Sequence, residues 1–587
     1  MTQSEENAHN EEFANETTTD VPDAAPHLNG VVLEEKKNKP KSIKDTISDE
    51  LERIGLGGKW VWTLFILCVT PNILNGFHVS SYVFLGHLPE DMWCEVPALK
   101  GNNWTSEQRQ LISRGSNNSK CTVYDWNYID LRDMPFQDAK NFVDTNTKPN
   151  EISCNQIPGY SYNYIDGTST FVPEWELVCN KAVHRTSAQL ALSIGKFLGS
   201  FSFGFLADKA GRKTSFTTGA IFFITASLIC SFSPWYPLFL VGRLGLGSAS
   251  SGLFYGAFTL LTENICVKHR SWMSIAFAAS YPVGMLILSA LAYFIEPWRY
   301  LQLALTIPAF FLIINVYFLK ESPRWLLSKE RYIEAYQIVF NKKCDIESEA
   351  IVQKTPEKTA KEVEATRDEK TPTFRDRFRA ATHTFSGLYG QPHVRRMVLT
   401  CYFMWCVTSL SYYVTALNAQ NMDVNRYLFV AITGCVDIPS YVLPIILLRF
   451  MGRKYTTLSL YFLAGVPLLA VLLVPADNIT AIIFLAMMGR FGISSAYSIV
   501  TLYTAELFPT EIRNSALGTC STLAHVGSMS APYVVDILGQ IDSFLPTTIC
   551  GSCVLVAGLL TMTLPETSTG KLADTVEEIE HAEEKTT

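Results

Sequence analysis

Three ionisable side chains stand inside long apolar runs: Lys196 in "LALSIGKFLGSF", Asp437 in "CVDIPS" and His525 in "STLAHVGSM". A charge at the centre of hydrocarbon costs about 2.5–3.5 kcal/mol on insertion scales, so such residues are expected to face a cavity and serve function. An ammonium, a carboxylate and an imidazole can hold a charged cargo, and the imidazole can carry either zero or one positive charge near neutral pH. Around them lie aromatic residues: Phe254 and Phe258 in "SSGLFYGAFTLLTE", Trp405, Tyr412 and Tyr413 in "MWCVTSLSYYV", and Tyr497. Ring faces attract organic ammonium groups by about 0.5–2 kcal/mol each. No GxxxxGK[ST], HExxH or GxSxG motif occurs, which disfavours ATP-driven pumping and hydrolysis. The expectation is binding without covalent chemistry and with no cofactor or metal.

These residues need elements to place them. The chain has 587 residues, 48% hydrophobic and only 18% charged. Its apolar residues fall into blocks of the roughly 20 residues that cross about 30 Å of hydrocarbon as a helix. Twelve blocks are read: 60–82, 187–207, 214–233, 236–261, 272–295, 299–319, 397–417, 427–448, 455–474, 479–503, 515–538 and 543–564. The first 58 residues are polar and aperiodic, a disordered tail.

With both ends placed in the cytoplasm, the short inner loops hold nine Lys and Arg residues and the short outer loops only Arg299 and Arg426, which fixes the orientation. The outer loop 83–186 then carries Cys94, Cys121, Cys154 and Cys179 and glycosylation sequons at Asn103 and Asn117. Four cysteines in an oxidising compartment suggest two disulfides with three possible pairings.

A repeat of about 243 residues relates the two halves. "ADKAGRK" returns as "LLRFMGRK", "VGRLGLGSAS" at Arg243 as "MGRFGISSA" at Arg490, and "LTEN" at Glu263 as "TAELFPT" at Glu506. Parallel six-span repeats of this kind build one class of secondary transporter, with cargo held near mid-membrane between them. The domains read as a tail 1–58, a six-helix bundle 59–319, a linker 320–396, a second bundle 397–564 and a tail 565–587. A latch is expected at the inner helix ends, from Asp208 with Arg212 or a neighbouring basic residue. Similar networks are expected from Glu263 with Arg270 and Glu506 with Arg513, and Arg453 is a gating candidate as well. Arg243 and Arg490 are read as structural. Lys196 can approach His525 or Asp536, snorkel, or pair with Asp437.

"GFLADKAGRK" resembles the loop signature of the major facilitator superfamily. With the cysteine-bearing loop, "ESPRWLL" and "AELFPTEIRN", the chain from about 55 to 570 is similar to the organic cation, anion and zwitterion transporters within it. The resemblance implies an all-α facilitator fold of two six-helix bundles with alternating access. It also implies that Phe254, Phe258 and Tyr412 stand at cavity-lining positions. His525 occupies a position where such carriers have an acid or an arginine. The implied function is polyspecific carriage of organic cations across the plasma membrane, driven by voltage or exchange. The alternatives are a zwitterion carrier of the carnitine type, coupled to sodium or facilitated, an organic-anion carrier, and a non-transporting receptor or scaffold. Implied partners are small organic cations or zwitterions, membrane lipid, and sodium or a proton as coupling ion.

Overall fold

A computed structural model describes residues 43–55, 59–89, 92–115, 119–164, 169–340, 389–421, 424–475, 477–509 and 512–567. Most of both tails, most of the linker and Asn117 lie outside these residues; the Asn103 side chain is exposed.

Ten described helices are long and apolar enough to cross a membrane. They are Lys59–Leu85, Cys179–Ala210, Arg212–Phe232, Tyr236–Asn264, Trp272–Phe294, Trp298–Phe318, Pro392–Leu417, Arg426–Leu447, Arg453–Leu473 and Ile479–Leu507. Two further elements complete the twelve expected runs. The helix Arg513–Tyr533 is rich in Ser, Thr and Gly and continues through a π-helical turn, Val534–Leu538; Leu545–Thr561 is apolar but has only 17 residues. Numbered in chain order, these are spans one to twelve.

Small residues set how closely the spans approach. Spans two and four cross where a Cβ added at Gly195 would run into the Leu244 carbonyl and one at Gly247 into the Leu192 carbonyl. Spans eleven and seven meet in the same way at Gly527 against the Cys406 carbonyl. Gly247→Val is therefore expected to force these backbones apart and to lower the yield of folded protein severalfold, read by size-exclusion chromatography in detergent.

Between spans one and two the all-α expectation is modified by two short antiparallel ribbons. Strand β1 (Met92–Glu95) pairs with β4 (Ser161–Tyr164), and β2 (Thr122–Tyr124) with β3 (Glu151–Ser153). Helix Ser106–Ser113 begins with a capping box in which Thr105 and Gln108 satisfy each other's backbone N–H groups. Its Ile112 joins Val96, Leu99, Tyr128, Leu131, Ala139 and Val143 in a separate small core. Of two expected disulfides, the structure closes Cys121–Cys179 and leaves Cys94 and Cys154 as buried thiols packed with Val123. The hydrogen bond from Cys94 holds the Cys154 thiol below its ordinary range.

At the opposite end of the bundle, the amphipathic helix Ile43–Ile54 sets Ile47 and Leu51 against Trp325, Leu326, Leu327, Ala335 and Val339 of the two helices after span six.

Candidate functional site

The Gly-Arg-Lys turns come first, because they stiffen the helix ends around the site. Gly211 has φ +108°, a conformation that favours glycine, and a Cβ there would strike the Glu321 carboxylate. That carboxylate accepts the backbone N–H of Arg212 at 2.9 Å and of Lys213 at 3.1 Å, capping span three. The free N–H groups and dipole of a helix start favour such an anion. Glu566 does the same for span nine, taking the N–H of Arg453 at 2.8 Å and of Lys454 at 3.1 Å. Each arginine side chain then reaches an acid on its own half: Arg212 to Glu263 at 3.1 Å and Arg453 to Glu506 at 3.0 Å. Arg212 also reaches the largely exposed Asp208 at 3.2 Å.

The expected pairings of Glu263 with Arg270 and Glu506 with Arg513 are corrected by this geometry. The turn arginines lie nearer the acids, and Arg513 instead donates to the Phe508 carbonyl. The two capping carboxylates were missed. Their signal was available: Glu321 in "ESPRWLL" and Glu566 in "LPETSTG" are 245 residues apart, close to the repeat period. Because both networks stay within one half, Glu321→Gln or Glu566→Gln is expected to loosen a helix start rather than an interface. About tenfold slower transport with retained binding is the expected outcome, since hydrogen bonds to charged groups contribute about 1.5–3 kcal/mol.

A buried ion pair joins the halves at the end that bears the β-ribbons. Asp536, on the π-turn of span eleven, meets Arg185 of span two at 2.6 Å, and both are almost wholly buried. Tyr82 and Thr186 donate hydroxyls to the same carboxylate at 2.6 and 2.7 Å. Spans five and eight close beside it, with Ser289 donating to the Tyr427 carbonyl at 2.5 Å and Phe84 stacked on Tyr427.

Further along the same seam a cavity of about 330 Å³ opens next to Asp208 and Arg212, lined also by Ser200, Tyr255, Ser521 and His525. Spans two, four and eleven form it, with the start of span three at Arg212. The seam is thus sealed at the ribbon end and hollow toward the Gly-Arg-Lys end.

The sequence-selected aromatics form one group in each half. Phe254 and Phe258 stack 6.2 Å apart with parallel planes, and both pack on Phe277. Tyr412 contacts Tyr413 at 5.5 Å and Tyr497 at 5.7 Å. Trp405 donates its indole N–H to Thr504 at 2.9 Å. His525 sits on the cavity wall with its ring edge to Phe197. Lys196 reaches across the seam, with Nζ 3.5 Å from the Tyr413 hydroxyl and 5.7 Å from its ring centre.

Asp437 is elsewhere than expected. It is fully buried against Arg490, with contacts of 2.6 and 2.9 Å, and accepts the Ser494 hydroxyl at 2.6 Å. The Tyr412 hydroxyl adds a longer contact at 3.3 Å, and the guanidinium lies 3.8 Å from the Tyr412 ring centre. A carboxylate with this many partners is a structural anchor and not an open counter-charge, so the pairing of Lys196 with Asp437 is not formed. Arg243, the repeat partner of Arg490, bonds instead to the His78 and Ala188 carbonyls, Ser81 and Gln189.

Comparison with known proteins accords with this architecture. Residues 140–580 match the family model "Sugar (and other) transporter". Among similar proteins, the organic cation transporter protein of Drosophila melanogaster is 29% identical, covering 91% of this chain and 94% of its own. Solute carrier family 22 member 6-A of Xenopus laevis is 33% identical with the same two coverages, 91% and 94%. Human organic anion transporter 3 is 32% identical over 72% of this chain and 76% of its own. Among solved structures, a partially occluded inward-open xylose transporter from E. coli superposes with a TM-score of 0.54 at 13% identity, over 88% of this chain and 100% of that one. That likeness carries the fold alone. Repeated Gly-Arg-Lys turns, two helical halves around a cavity and these relatives agree: the chain is a multi-pass membrane transporter with the major facilitator fold, a member of solute carrier family 22 within the sugar (and other) transporter family.

Proposed function

We propose that this transporter carries small organic ions with a cationic head across the plasma membrane, holding them in the cavity between its halves. The observation that carries the reading is the cavity at the seam between the halves, whose walls carry the rings of Phe201, Tyr255 and His525. Rings offer a desolvated ammonium attraction without a fixed carboxylate, and their apolar faces accept cargo of varied shape. The names of two relatives, an organic cation transporter protein and an organic cation transporter-like protein of Drosophila melanogaster, point to the same cargo class.

With the tails and the Gly-Arg-Lys turns on the cytoplasmic side, the positive-inside rule is met. The conformation is then closed outside and open inside. Alternating access requires the Arg185–Asp536 contact to part as the opposite end closes. A net cation gains about 2.3 kcal/mol per 100 mV, which corresponds to roughly fiftyfold accumulation.

The test is uptake of a panel of quaternary ammonium compounds, with and without an added carboxylate, into cells expressing the protein. Saturable uptake is expected for members of the panel, rising with inside-negative potential for the net cations. Absence of uptake for the whole panel, with the protein present at the surface, would remove the reading.

A further inference from the structure

A second cavity, of about 470 Å³, lies where span seven begins and span twelve ends. Its lining has two levels. Arg395 and Arg396, both exposed, stand in the first turns of span seven, with Thr563 beside them at the end of span twelve. Leu399 and Phe403 follow at four-residue spacing, so they continue one face of the helix about 6 and 12 Å beyond Arg395. Leu560 supplies the facing apolar wall, and Leu399 is 54% exposed. Met404 and Thr561 join the two spans close by, with the hydroxyl 3.8 Å from the sulfur. Among the described residues, no acid lines this groove. The first half is finished differently at the same end of the bundle. There Trp60, at the start of span one, packs into the cluster that helix Ile43–Ile54 forms with the two helices after span six.

We propose that this groove is a binding site for an anionic phospholipid of the cytoplasmic leaflet. The lipid phosphate is held by the guanidinium groups of Arg395 and Arg396, and one acyl chain runs along Leu399, Phe403 and Leu560. The choice of leaflet rests on the orientation adopted under the proposed function; the site itself does not. Planar guanidinium forks donate paired hydrogen bonds to phosphate oxygens, and basic pockets between spans at the inner face select anionic headgroups. The order of the lining decides between occupants. A free phosphate, or an acidic stretch of this chain such as 574–584, would answer the two arginines and leave the deeper leucines and phenylalanine uncovered. A lipid matches both levels at once, because its charge and its chain are joined in the same sequence, headgroup outward and hydrocarbon inward.

The test uses the full chain in nanodiscs, with phosphatidylserine and phosphatidylcholine probes that carry the same diazirine-bearing acyl chain. Photolabelled residues are mapped by mass spectrometry. Labelling at Leu399, Phe403 or Leu560 is expected to be at least fivefold stronger from the phosphatidylserine probe. Unlabelled phosphatidylserine should displace it from the native protein and phosphatidylcholine should not, a readout that needs no variant. Arg395→Gln combined with Arg396→Gln is expected to abolish the preference, whereas Arg395→Lys with Arg396→Lys should keep most of it. Lys209→Gln, which removes an exposed cation outside the groove, should leave it unchanged. Equal labelling by the two probes, or a preference that survives the double glutamine variant, would overturn the inference. An equal loss in Lys209→Gln would do so too, by showing diffuse attraction to the surface. Suppression by millimolar glycerophosphoserine would assign the groove to soluble anions instead, and labelling that appears only after removal of residues 568–587 would assign it to the chain's own acidic end. No cargo is present in the experiment, so each of these outcomes leaves the proposed transport untouched.

Discussion

Arg490→Leu is expected to be among the most damaging single substitutions in the protein. It would leave the Asp437 carboxylate at full burial, with only the Ser494 and Tyr412 hydroxyls for company. Breaking a buried ion pair from one side costs about 3–5 kcal/mol, because the remaining charge has lost both water and partner. Arg490 also donates to the Tyr412 carbonyl and to Thr415 at 3.1 Å, so span seven loses a tie to span ten in the same stroke. The folded, monodisperse fraction after detergent extraction should collapse, and thermal unfolding of what remains should begin well below that of the parent. Removing both charges is the diagnostic control. Asp437→Asn combined with Arg490→Met should recover much of the loss, since replacing a whole buried pair by apolar groups is often nearly neutral. A double variant no better than Arg490→Leu would mean that the arginine's carbonyl and hydroxyl bonds outweigh its charge pairing.

The second large effect is on conformation. Asp536→Ala should release the ribbon end of the molecule. In the closed arrangement Arg185 would keep its burial and its bond to the Gly86 carbonyl but lose its counter-charge. In the opened arrangement the guanidinium is free to meet water, so the penalty falls on one state. A penalty of about 3–5 kcal/mol corresponds to a shift of roughly two to four decades in the ratio of closed to open forms. Spin labels at Val183 and Ile541, both exposed, would report it as a longer distance between span two and the turn that follows span eleven. Asp536→Asn is expected to give a smaller shift, because the amide oxygen can still accept from Tyr82, Thr186 or Arg185. An unchanged distance distribution in Asp536→Ala would show that packing alone seals that end.

Most of the scaffold was legible in the sequence because hydropathy and helix length are local properties. The apolar blocks coincide with the observed spans to within five residues, except that span two begins eight residues before its block, and the 243-residue period lines up the arginines, acids and glycines of the two halves. Pairing was less legible. Nothing in "CVDIPS" says that Asp437 faces Arg490, 53 positions away, and not a lysine across the seam. That choice depends on which face of span eight turns inward. Glu263 and Glu506 were assigned to the arginines nearest in sequence, Arg270 and Arg513, whereas helix ends that meet in space bring Arg212 and Arg453 closer. The strands between spans one and two were hidden for another reason. Runs of three or four residues, stabilised by a disulfide and a small separate core, carry too little periodicity to stand out.

Lys196 shows the reverse case. Its oddity was visible from sequence alone, but its meaning depends on knowing that each nearby acid is already committed.

The carboxylates of Glu321 and Glu566 bear on how force is distributed in the working cycle. Each clamps the start of a helix within its own bundle, so neither must break when the bundles rock. Every half therefore behaves as a stiff lever, and bending is left to the seam. Weakening a clamp should leave the cargo's grip intact yet let one lever flex under load, and the toll would appear as slippage: cycles completed without a passenger.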